Sequence, residues 1–224
     1  MSTQTNAAVR NEQKQRIGIR TMVQVGMLSA IATVLMLFEI PLPFAPSFYE
    51  IDFSEVPVLI GCFTMGPLAG AAIEMVKILL NFLINGTVTA GVGEIANFLI
   101  GCALCVPAGL IYKRQGTRKG ALIGMAVGTG MMVIVGCVIN AYVLLPVYAK
   151  AFQMPLDALI GMGTAVNPNI TGLSTFVIFA VAPFNLLKGV LVSVIVLAIY
   201  IDSSVLLRFF FMISISVSSY INSK

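Results

Sequence analysis

The stretch Pro183-Phe184-Asn185-Leu186-Leu187-Lys188-Gly189 decides how this chain is read. It lies in an apolar segment, from about Leu173 to Tyr200, that carries no charge other than Lys188. An ammonium at bilayer depth costs roughly 2.5–3.5 kcal/mol on insertion scales, so such a group is buried, paired or in contact with a polar ligand. Asn185 and Lys188 are spaced i, i+3 and share one face of a helix. That face is expected to line a site.

Composition places the whole chain in the membrane. Hydrophobic residues make up 58% and charged residues 10%, against about 25% charged in soluble domains. Mean hydropathy is +1.00. The net charge of +4 is no nucleic-acid signal, because the cations sit in short clusters between apolar runs, where they set topology. No cleavable leader is expected: Met1 to Gln15 is polar, and the first apolar run, Val23 to Ile40, is long enough to span.

The expected fold is an all-α integral membrane protein, a bundle of six transmembrane helices with both termini cytoplasmic. Residues 1–16 are read as a disordered cytoplasmic tail, 17–201 as the membrane domain and 202–224 as an atypical C-terminal tail. The spans run from about Ile17 to Ile40, Val56 to Met65 (short), Leu68 to Ile84, Ile95 to Tyr112, Ala121 to Val147, and within Thr175 to Ile201. Gly66-Pro67 separates the second from the third. Pro183 is expected to kink the last span or to follow a shorter helix. Arg10, Lys14, Arg16 and Arg20 precede the first span, and Lys113, Arg114, Arg118 and Lys119 lie between the fourth and fifth. Six spans put both clusters on one side, the cytoplasm. The 85–94 and 149–172 loops are then external, as is the first loop with Glu39, Glu50, Asp52 and Glu55. In the tail, Val205–Val217 is apolar but interrupted by Arg208; it either extends the last helix or lies in the interface.

Several chemistries are excluded. The chain has no histidine, so no Ser-His-Asp or Cys-His device can form. It has no G-x-x-x-x-G-K-[ST] phosphate loop, so ATP-driven work needs a separate subunit. Cys102-x-x-Cys105 stands alone inside a span and reads as packing rather than as a zinc or redox site. No metal ligand set and no cofactor is expected.

The other polar residues in or near the spans each have two readings. Glu74 and Lys77, i, i+3 on the third span, either neutralise each other or leave Lys77 or Asn81 to reach a ligand. Glu94 either complements a helix dipole or, with Asn97, faces the site. Asn140 is either interhelical glue or a ligand contact. Phe44, Phe48, Tyr49 and Phe53 either stack on a flat ring or form an interfacial belt. Asp52 lies among them. Amides and an ammonium at the outer ends of the spans suit a neutral, hydroxyl-rich or heterocyclic ligand.

The stretches Pro41-Leu42-Pro43-Phe44, Ile51-Asp52-Phe53-Ser54-Glu55-Val56-Pro57, Gly66-Pro67-Leu68-Ala69-Gly70, Gly91-Val92-Gly93-Glu94-Ile95-Ala96-Asn97-Phe98 and Ala182-Pro183-Phe184-Asn185-Leu186-Leu187-Lys188-Gly189 resemble, in order, the substrate-binding (S) components of energy-coupling factor vitamin transporters, most closely the riboflavin-specific members. The resemblance implies a six-helix fold in the cell membrane with a vitamin pocket near the outer face, capped by the loop after the first helix. It implies that Asn140, Asn185 and Lys188 hydrogen-bond the ribityl chain of riboflavin. It implies as partners a transmembrane coupling protein and two ATPase subunits. Gly26 and Ala30, with Ser29 and Thr33 beside them, repeat a small-x-x-x-small spacing on the first span. Such spacing lets helices approach closely, and the family docks its coupling protein through an Ala-x-x-x-Ala pattern there. The C-terminal stretch departs from the family. A self-sufficient carrier would show inverted repeats and an intramembrane enzyme a nucleophile–base pair; neither is evident.

Overall fold

The computed structural model describes residues 2–42, 46, 49–87 and 89–201, with side chains from residue 18 to residue 199. Helix α1 (Ser2–Met36) leads through a two-stranded antiparallel ribbon, β1 (Ile40–Pro41) and β2 (Glu50–Ile51), into α2 (Glu55–Met65), α3 (Pro67–Asn85) and α4 (Val92–Gln115). Then come α5 (Arg118–Ile139), α6 (Leu145–Ala151), α7 (Leu156–Val166), α8 (Leu173–Phe176) and α9 (Ala182–Ile201). Among the described residues five helical segments are long and apolar enough to cross a membrane: Gly18–Met36, Pro67–Asn85, Val92–Gln115, Arg118–Ala151 and Leu173–Ile199. The sixth expected span is α2, only 11 residues long.

Local chemistry explains the breaks. Gly66 joins α2 to α3 with φ +100°, a conformation natural to glycine. Pro67 follows at the start of α3, where its missing N–H costs nothing. Arg118–Ala151 and Leu173–Ile201 each contain one π-turn, Asn140–Leu144 and Val177–Val181. Each π-turn closes with a bond five residues back, Leu145 N–H to the Asn140 carbonyl and Ala182 N–H to the Val177 carbonyl. Pro146 and Pro183 follow directly. A proline ring and its missing N–H disrupt the i→i−4 ladder, and here the helix widens where the ladder would break. A helix therefore leads into Pro183 through a wide turn instead of stopping before it.

One expectation needs correction, and two gain detail. Residues 2–16, read as disordered, continue α1; they hold no Gly or Pro and several good helix formers. The 149–172 loop contains α7, which Pro155 opens and whose buried Leu159, Ile160 and Gly163 face inward. The first loop carries the β1–β2 pairing, Ile40 opposite Ile51 and Pro41 opposite Glu50. The calls on residues 202–224 lie outside the described residues.

Two apolar clusters hold the bundle. One runs through its body, with Leu28, Leu59, Ile73, Leu104, Met125 and Val192 among its buried members. The other, built on Tyr49, Ile51, Leu145, Ile170, Phe176 and Phe184, lies around the ribbon and the π-turns. Helices α4 and α5 approach through glycine: a Cβ on Gly124 would stand 2.7 Å from the Ala108 carbonyl oxygen. Where lipid supplies no hydrophobic drive, such close contact replaces it. All four cysteines are free, and the Cys62 thiol donates to the Cys105 carbonyl at 2.9 Å, so Cys105 serves packing.

Candidate functional site

A cavity of about 430 Å³ opens at the end of the bundle where α1 stops and α4 starts. Its wall includes Asn81, Glu94, Asn97, Asn140, Asn185 and Lys188 from the helices and Tyr49 and Asp52 from the first loop. Eight of the ten substrate-contact residues expected from the sequence thus face one space. Ligand pockets span about 300–1,000 Å³, so the cavity suits a molecule of vitamin size.

The two π-turns place the asparagines. Asn140 heads the first, and its amide donates to the Gly136 carbonyl at 2.8 Å. Its oxygen accepts the Tyr49 hydroxyl at 2.7 Å. Asn185 donates to the Val181 carbonyl at 2.9 Å. Among the described residues its oxygen and its second amide hydrogen have no other partner, and both are available to a ligand. Gly136 makes room for this side chain: a Cβ there would lie 2.8 Å from Asn185 Nδ2. A π-turn adds a residue to one turn and so resets which side chains face inward.

Among the described residues Lys188 is the one lysine on the cavity wall. Its ammonium donates to Oδ2 of Asp52 at 2.8 Å, and Oδ1 of Asp52 accepts the Ser54 amide at 2.8 Å. Burial pushes the Asp52 carboxyl up, but the charges of Lys188 and Lys77 outweigh it and hold the group well below the usual carboxylate range. Asp52 is therefore an anion, and the ion pair ties the first loop to α9. Rings also line the wall: Tyr49 packs 4.9 Å from Phe184 and 6.3 Å from Phe176, while Tyr148 stacks on Phe152 at 5.7 Å. The rim is acidic, with Glu39, Glu50 and Glu94 on the wall. Glu94 accepts from Thr87 at 3.1 Å.

One expected contact is not on the wall. Lys77 is buried and bonded to Glu55 at 2.9 Å and to Ser54 at 3.1 Å, and lies 2.7 Å from Glu74. The neutralising reading of that pair holds, with Glu55 as a further partner. Phe48 lies outside the described residues. Asn81 reaches the cavity, and its oxygen accepts from Asn85 at 3.0 Å. The sequence reading missed Glu39, Glu50, Tyr148, Phe152 and Phe184. Only Phe184, beside Asn185 in the opening stretch, had a signal nearby.

The small-residue stripe on α1 divides. Gly26 and Ala30 are exposed, and nothing lies within 4 Å of a Cβ on Gly26. Ser29 and Thr33 are buried at 0% and 3% exposure. Ser29 donates to the Val25 carbonyl at 2.7 Å and Thr33 to the Ser29 carbonyl at 2.8 Å, and a longer 3.5 Å contact joins Ser29 to Ile73 of α3. These two serve internal packing, which corrects their assignment to docking.

Comparison with known proteins follows from this geometry. The family model "ECF transporter, substrate-specific component" matches residues 20–200. The riboflavin transporter FmnP of Bacillus subtilis (strain 168) is 35% identical over 82% of this chain and 91% of its own length. The riboflavin transporter RibU of Staphylococcus aureus (strain TCH60) is 35% identical over 81% of this chain and 88% of its own. A solved structure, "Structure and mechanism of the S component of a bacterial ECF transporter", superposes with a TM-score of 0.67 at 34% identity, covering 85% of this chain and 99% of that one.

Proposed function

The chain belongs to the substrate-specific components of ECF transporters, and from that membership we propose that it captures riboflavin in its cavity and delivers it to an ATP-driven module for uptake. It is a transport component of the membrane, not an enzyme. The observation that carries the ligand is the mixed wall of the cavity: amides and one ammonium from Asn97, Asn140, Asn185 and Lys188, and rings from Tyr49, Tyr148 and Phe184, line one space. A polyol chain suits the first and a flat heterocycle the second. The relatives named as riboflavin transporters support the same ligand. Asn140, Asn185 and Lys188 bind the ribityl hydroxyls in this reading. Lys188 trades part of its bond with Asp52 for them.

The orientation follows from charge. Helix α4 runs from Glu94 at the cavity to Lys113 and Arg114 at its other end. At about 1.5 Å per residue, its length keeps the basic connection to α5 far from the cavity. Basic connections stay in the cytoplasm, so the cavity opens outward. Helix α1 likewise runs from Arg10, Arg16 and Arg20 toward Glu39. With α2 counted as a short sixth crossing, both termini are cytoplasmic. The module is a transmembrane coupling protein with two ATPase subunits, reached through the exposed Gly26–Ala30 face.

Fluorescence titration of riboflavin into the purified protein tests the ligand. Saturable quenching at one site per chain is expected. Quenching no stronger than that by detergent alone would refute the assignment.

A further inference from the structure

Ser54 stands at the N-cap of α2, where a serine ordinarily turns its hydroxyl back to accept a backbone N–H of the first turn. Here the side chain makes no such bond. It is fully buried, and its oxygen accepts from the Lys77 ammonium at 3.1 Å instead. The Ser54 backbone N–H donates to Oδ1 of Asp52 at 2.8 Å. Asp52 and Lys188 line the cavity, while Ser54 and Lys77 are buried off its wall.

Lys77 is a firm anchor. It also donates to Oε1 of Glu55, in the first turn of α2, at 2.9 Å. It pairs with Oε2 of Glu74, one turn back on α3, at 2.7 Å. These three contacts match the three donors of an ammonium, so α2, α3 and the end of the first loop are tied at one point. Lys188 has need of such an anchor. Its ammonium ends a flexible four-carbon stem, and its place on the wall is set by Oδ2 of Asp52 at 2.8 Å. Asp52 lies between β2 and α2, outside both, and its other oxygen is held by Ser54. A line of contacts Lys77–Ser54–Asp52–Lys188 therefore runs from α3 through the first loop to α9. Groups that meet a ligand bind best when the contacts behind them fix their geometry before the ligand arrives.

We propose that Ser54, held by Lys77, is a positioning residue of the ligand site: it fixes Asp52, and through Asp52 the ammonium of Lys188, in the place that the polyol chain requires. The inference rests on the reading of Lys188 as a contact of the ribityl hydroxyls. It gives Lys77 a part in binding without any contact to the ligand.

Flavin titration and thermal unfolding of the full-length protein test it, using riboflavin and lumiflavin, the same ring with a methyl group in place of the polyol. Ser54→Ala keeps the backbone N–H and leaves Lys77 its two carboxylates, so the thermal midpoint is expected to stay close to wild type. Riboflavin affinity is expected to fall roughly 5-fold or more, with lumiflavin affinity unchanged. The double variant Lys188→Met, Asp52→Asn has no ammonium to place. Adding Ser54→Ala to it is expected to change its residual riboflavin affinity no further. Wild-type riboflavin affinity in Ser54→Ala overturns the proposal. So does an equal loss of both flavins, or a collapsed midpoint, because either shows a role in the fold alone. A full Ser54→Ala loss on top of the double variant overturns it too. The ligand reading fails in a different way: wild-type riboflavin affinity in the Lys188→Met, Asp52→Asn variant removes Lys188 from the ligand, and the positioning role falls with it.

Discussion

The ammonium of Lys188 lies 2.8 Å from Oδ2 of Asp52, a residue 136 positions earlier in the chain. This pair joins the first loop to α9, and both its members line the cavity. Truncating one member of a buried pair leaves the other charged and unpartnered, which typically costs about 3–5 kcal/mol. Lys188→Ala is therefore expected to lower the thermal midpoint and to abolish tight riboflavin binding. The double variant Lys188→Met with Asp52→Asn removes both charges and should recover the midpoint without recovering affinity. Thermal unfolding and flavin titration on the same preparations separate the two effects. Recovery of affinity in the double variant would remove Lys188 from the ligand.

Gly136 seats both asparagines, accepting from Asn140 and lying beneath the amide of Asn185. A methyl group at 2.8 Å from Asn185 Nδ2 must displace that amide. Gly136→Ala is expected to cost the ligand one or two hydrogen bonds, about 1–3 kcal/mol, or roughly a 5- to 150-fold loss of affinity. Flavin titration measures it. Wild-type affinity would mean that Asn185 can turn aside and still bind.

The cavity rim carries a proton-sensitive group. Burial, then the hydrogen bond and charge of Glu50 and the charge of Asp52, raise the Glu39 carboxyl from 4.5 to about 7, against the opposing charge of Lys188. Tyr148 also lies within its electrostatic reach. A group raised in the folded state stabilises fully below its unfolded value and loses that contribution as pH rises through its folded value. The window is thus from about 4.5 to about 7. The wild-type thermal midpoint should fall as pH rises across that window, and Glu39→Gln should flatten the slope. Equal slopes would count against a shared proton on the rim.

How much was legible follows from the range of each signal. The long spans show in local hydropathy, and Gly66-Pro67 marked the α2–α3 break because glycine and proline act on their own backbone. Asn185 and Lys188 stood out because a polar face in an apolar helix is visible within four residues. The partner of Lys188 and the second acidic partner of Lys77 were not legible, since Asp52 comes from the first loop and Glu55 from the start of α2 and only packing brings them near. The π-turns were equally hidden: Pro183 announced a disruption but not its form, and the fifth span was read straight through Pro146. Ser29 and Thr33 share the spacing of Gly26 and Ala30, and spacing alone cannot say which stripe faces α3.

That division of α1 gives the last prediction. Gly26 and Ala30 present an exposed face with no side chain to obstruct it, while Ser29 and Thr33 are turned into the bundle. A second helix could lie along the first pair at close range. Gly26→Leu and Ala30→Leu should therefore block ATP-dependent uptake and leave flavin affinity and thermal midpoint close to wild type. Ser29→Leu should do the reverse: its bulk must enter the α1–α3 contact, where overpacking typically costs about 1–3 kcal/mol, so the midpoint falls first. Uptake in vesicles holding the whole module, with binding and unfolding measured on the isolated chain, distinguishes the two stripes. If Gly26→Leu lowers binding and uptake together, the exposed face belongs to the chain's own folding and the coupling protein docks elsewhere.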